Sequence, residues 1–128
     1  MARYANSVVG YTWTNGSPTA TATNTTTGIF VAGQNNGFRL TLPADTNLRT
    51  LKVYVGAWHT QGRMVAHLSD GSAVDYVDTS LANTASPTSV GVYTLAYRAA
   101  SAGQTLTVTF TQDLSGGGNV TLQAATLQ

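Results

Sequence analysis

The chain contains no cysteine, no glutamate and a single lysine, Lys52. Without thiols there is no disulfide framework and no thiolate metal centre, and the redox compartment stays open. Charged residues make up 9% of the 128 positions, against about 25% in ordinary soluble domains. The acids are Asp45, Asp70, Asp75, Asp78 and Asp113; the remaining bases are Arg3, Arg39, Arg49, Arg63 and Arg98. A net charge of +1 supplies no basic field for nucleic acid or an anionic membrane, so neither is expected as a partner. No apolar run has the length of a membrane helix. No charged n-region and apolar h-region open the chain, and we read Met1-Ala2 as the start of a module taken from a larger protein.

What fills the space is threonine, about one residue in six, with Val, Ala, Gly, Asn and Ser. Thr and Val favour strands, while the missing Glu and Lys favour helices. Residues 1–27 are polar and irregular, ending in "TATATNTTTG", a linker or a surface-hugging edge strand. From residue 28 to 128 alternation with period two takes over. Leu51, Val53, Val55 and Ala57 alternate with Lys52, Tyr54, Gly56 and Trp58; Met64, Ala66 and Leu68 with Arg63, Val65 and His67; Leu106, Val108 and Phe110 with Thr105, Thr107, Thr109 and Thr111. Similar alternation covers Phe38–Leu42, closed by Pro43, then Val74–Val77, Tyr93–Arg98 and Val120–Ala124, with a bulge expected near Ala125. "GQNNG", "SDGS" and "SGGG" mark turns. A Ser/Thr/Asn loop with Pro87 is expected over 79–91. About eight strands with one apolar face each predict an all-β fold in one domain, a two-sheet antiparallel β-sandwich of jelly-roll type.

The runs "LPADTNLRTLKVYVGAWHTQGRMVAHLSDGSAVDYVDTSL", "VYTLAYRAASAGQTLTVTFTQ" and "GNVTLQAATL" resemble a β-sandwich module of large secreted bacterial proteins. Its sandwich is similar to the galactose-binding-like jelly roll of carbohydrate-binding modules. The resemblance spans roughly residues 4–128 and implies an extracellular location. The chain departs from it in lacking the module's first strands, which implies an open sheet edge covered by a neighbouring subunit or by the N-terminal segment.

Chemistry points to one stretch, "YVGAWHTQG" at 54–62. Tyr54 and Trp58 share the face opposite Leu51, Val53, Val55 and Ala57. Outward aromatics can stack on the C–H face of a sugar ring while polar neighbours fix its hydroxyls. Gly56 is expected to leave the surface between them flat, and His59, Gln61, Arg63 and His67 are the expected polar partners. Equally, Trp58 can fold over the end of the sandwich and finish the core. Trp13, Tyr4 and Tyr11 form a second aromatic group that anchors the N-terminal segment or makes a subunit contact. His59 and His67 lack a third ligand for zinc. Asp70, Asp75 and Asp78 are dense enough to raise calcium, but Asp70-Gly71 is first a hairpin turn, so no cofactor is expected. Glycoside hydrolysis needs two facing carboxylates, and five scattered Asp do not promise them. The expected function is therefore non-catalytic binding of a glycan or polysaccharide. The alternative is a structural, self-assembling module, a homo-oligomer formed through open sheet edges.

Overall fold

A computed structural model describes residues 1–85 and 88–128; Pro87 lies outside the described residues. Within them the chain forms twelve strands and no helix, against about eight expected, with three in the N-terminal segment read as irregular and one in the expected 79–91 loop: β1 (Ala2–Tyr4), β2 (Tyr11–Trp13), β3 (Ala22–Thr25), β4 (Gly28–Ala32), β5 (Gly37–Ala44), β6 (Arg49–Trp58), β7 (Thr60–Leu68), β8 (Tyr76–Asp78), β9 (Ala82–Asn83), β10 (Ser89–Tyr97), β11 (Gln104–Gln112) and β12 (Asn119–Leu127). Sheet I has the order β1-β4-β12-β6-β10 and sheet II the order β5-β11-β7-β8, with β9 also on β7. Every pairing is antiparallel. If β4 to β8 and β10 to β12 are counted as eight core strands, the orders read first-eighth-third-sixth and second-seventh-fourth-fifth. That is the double Greek key of a jelly-roll sandwich.

The core follows the sequence phase. Leu51, Val53, Val55 and Val120 of sheet I meet Met64, Leu106, Val108 and Phe110 of sheet II, all nearly or wholly buried. Each such side chain contributes about 1.5–3 kcal/mol over its exposed state. Where the alternation was short, the reading fails. Val74 was expected in a strand, but it is 96% exposed in the loop before β8. β10 starts at Ser89, inside the expected loop. Pro43 does not end its strand: β5 runs on to Ala44. As an edge strand β5 tolerates the missing N–H, and the Pro43 carbonyl accepts a 2.9 Å bond from the Tyr97 hydroxyl.

A single residue separates β6 from β7, yet the two strands belong to opposite sheets. That residue, His59, adopts φ +51°, the left-handed region that turns the chain sharply at a corner. The region costs a residue with a Cβ about 1–2 kcal/mol, and a β-branched one more. His59→Gly is therefore expected to be at least as stable as the parent, and His59→Val less stable by about 1–2 kcal/mol. Urea midpoints of the two variants check this; equal midpoints would mean the corner carries no strain.

Residues 5–27 form a strap across the outer face of sheet I, carrying the β2–β3 hairpin. Its latch is Gln123, which accepts from Ser7 Oγ (3.1 Å) and donates to the Val9 carbonyl (3.3 Å). Gln123 sits at a register shift between Leu122 and Ala124, slightly before the bulge expected from the sequence. The extra residue directs this amide to the strap. Tyr11 closes edge-on over Tyr54, with ring centroids 4.9 Å apart.

The aspartates hold loops. Asp70 accepts from Ser72 N–H (3.0 Å) and Ala100 N–H (2.8 Å), joining two turns. Asp78 accepts from the Ser80 and Tyr93 hydroxyls, both at 2.7 Å, and so ties β8 to β10. Asp45 pairs with Arg49 at 2.9 Å. These bonds hold all three carboxyls below the usual range: those of Ser72 for Asp70, of Ser80 and then Tyr93 for Asp78, and of Arg49 for Asp45. A depressed folded-state pKa stabilises above the unfolded value of about 4 and is lost as pH falls below it. At the other end Tyr93 is raised by burial and by the Asp78 carboxylate, and Tyr97 by burial. Their stabilisation is present below the unfolded tyrosine value of about 10 and lost above it. Tm is thus expected to be level between these limits and to fall at both ends. Thermal melts across pH check this; a Tm that holds steady down to pH of about 2 contradicts it.

Candidate functional site

The strap does not cover all of sheet I. Between its first residues and the end of β6 a cleft of about 240 Å³ stays open. Strand phase explains its floor. Val31 and Val120 point into the core, so Phe30, Asn119 and Thr121 point out, paired across β4 and β12. Trp58 faces out beside Asn119. Tyr4 at the end of β1 and Asn6 and Ser7 of the strap form the opposite wall, and Thr88, just before β10, closes the end. Tyr4 lies against Gly28, where any Cβ would strike its ring.

The lining is three aromatic rings (Tyr4, Phe30, Trp58) and five uncharged polar side chains (Asn6, Ser7, Thr88, Asn119, Thr121). Among the described residues no Asp, Glu, Lys, Arg or His borders it. Thr121 is only 5% exposed on the floor of the cleft. Burial raises the Tyr4 phenol pKa, and the neighbouring Thr121 and Ser7 hydroxyls oppose the shift. Neutral rings with hydroxyl and amide groups suit an uncharged, hydroxylated ligand. They offer no acid–base pair and no anionic cage for a cation.

The expected site residues part company. Trp58 is half-buried on the cleft wall, its ring 4.2 Å from that of His59. Tyr54 faces the same way but lies under Tyr11 rather than open to a ligand. Gly56 does not leave a flat bare surface: Thr121, Thr88 and the Ser89 carbonyl occupy the space above it. Gln61 is held by Asp113, donating at 2.8 Å. Arg63 and His67 belong to β7, so they face out from sheet II, on the other side of the sandwich from Trp58. There His67 meets Asp75 at 2.6 Å. Two adjacent strands with outward residues were read as one surface; the His59 corner makes them two.

The second aromatic group separates in the same way. Tyr4 walls the cleft, Tyr11 covers Tyr54, and Trp13 packs on Gly16 and donates to the Thr19 carbonyl at 2.9 Å. Among the described residues no three His, Cys, Asp or Glu side chains gather. Asn6, Ser7, Phe30, Thr88, Asn119 and Thr121 line the cleft without having been expected there. The alternation around Val31 and Val120 shows that Phe30, Asn119 and Thr121 point outward, but not that β4, β12 and β6 lie side by side. Compared with family models, curated proteins and solved structures, the chain matches none.

Proposed function

We propose that the protein is a non-catalytic carbohydrate-binding module whose site is the cleft between Trp58 and Tyr4. The observation that carries this is the lining: aromatic faces and uncharged hydroxyl and amide groups, with no charged side chain. Sugars present an apolar C–H face and a rim of hydroxyls, and that lining complements both. Trp58 and Tyr4 serve as stacking faces, Asn119, Asn6 and Thr88 as hydroxyl partners. A place in a secreted, multidomain bacterial protein goes with this proposal.

The test is a glycan array followed by isothermal titration. Neutral sugars are expected to bind with a dissociation constant of roughly 10 µM to 1 mM, and acidic ones more weakly. An array without a single neutral hit overturns the reading.

A further inference from the structure

Among the described residues the two sheets end in four edges: β1 and β10 in sheet I, β5 and β8, with β9 in line with it, in sheet II. An open edge offers unpaired N–H and C=O groups to any other strand, and proteins block it with short strands, charge, proline or bulges. Three of the four edges here carry such devices. β1 has three residues and includes Arg3. β5 holds Arg39 and Pro43. β8 has three residues and ends on Asp78.

β10 carries none. It runs for nine residues, "SVGVYTLAY", without a charge or a proline, and its register on β6 is unbroken from Ser89 to Tyr97. Val92 stands 49% exposed at its middle.

We propose that β10 pairs antiparallel with β10 of a second copy of this chain, joining two sandwiches through one continuous sheet. A strand that pairs with itself about a two-fold axis brings each charge near its own copy, so an uncharged strand is the one suited to it. The second layer agrees. Large exposed apolar side chains crowd the same side of the molecule: Val74 at 96%, Tyr76 at 43% and Val77 at 49%. The Tyr93–Asp78 bond fixes β8 beside β10 there. Dimerisation through β10 sets Val92 beside its own copy on the outer face of sheet I and brings each β8, with Tyr76 and Val77, toward its counterpart in the second layer. The two-fold axis stands perpendicular to the sheet. The outer faces of both copies therefore point the same way, and both Trp58 clefts open on one surface. The pairing itself does not depend on what the cleft binds.

Light scattering coupled to size exclusion tests this on the full chain. The parent is expected at twice the monomer mass of 13.3 kDa. Val92→Lys and Val92→Glu are each expected to run as monomers with unchanged circular dichroism, and their equimolar mixture to return to the dimer mass. A parent that stays monomeric up to roughly 100 µM overturns the proposal. So do single variants that remain dimers, or a mixture that stays monomeric.

Discussion

Replacing Phe110 by alanine is expected to destabilise the protein by about 3–5 kcal/mol. Phe110 is 2% exposed at the centre of sheet II, paired with Phe38 on β5 and Met64 on β7. Its ring lies directly over Gly62, where any Cβ would collide with it, and 6.0 Å from the ring of Tyr93 across the sandwich. Removing the ring therefore opens a void that backbone on one side and a tethered tyrosine on the other cannot close. The residual cavity adds to the lost transfer energy. A chain of 128 residues carries a total stability of about 6–19 kcal/mol, so the loss is a large share of the whole. Urea unfolding should show a lower midpoint with the slope unchanged. A shift worth less than about 1 kcal/mol would mean that the sheets collapse into the void.

Trp58→Ala is expected to weaken sugar binding at least about 30-fold, the effect of losing one central aromatic anchor. The fold should survive, because Trp58 is only half-buried and stands outside the core cluster. Arg63→Ala and His67→Ala make the decisive contrast. Both residues lie on the outer face of sheet II, away from the cleft, and their loss should leave the affinity unchanged. Titration of the three variants against the best array hit reads this directly. If Arg63→Ala or His67→Ala removes binding and Trp58→Ala does not, the ligand sits on the other sheet.

The contrast also shows how far sequence reaches in this molecule. Whether a residue points in or out is a local property of a strand, decided by alternation, and it could be read for Leu51 to Ala57 and Leu106 to Phe110 without any fold. The all-β class followed from the same alternation, together with threonine in place of Glu and Lys. Alternation fails where the strand is too short to show it. β8 has three residues, and the strand expected to begin at Val74 starts only at Tyr76. β2 also has only three residues, and β3 lies within a threonine-rich run in which inward and outward positions look alike.

The site needed information of another kind. Trp58 and Arg63 are five residues apart and both point outward, yet they stand on opposite outer surfaces, because one residue in a left-handed conformation at His59 carries the chain from one sheet to the other. Tyr54 and Trp58 lie on one strand and one face, yet only Trp58 borders the cleft, because Gln123 and Tyr11 fasten the strap over the first and leave the second open. The sequence by itself determined the long strands, their inward faces and the outward aromatics, since these depend on neighbours two residues away. The tertiary structure alone decided which outward faces share a surface, since that rests on pairings as distant as Ser7 with Gln123 and Phe30 with Thr121.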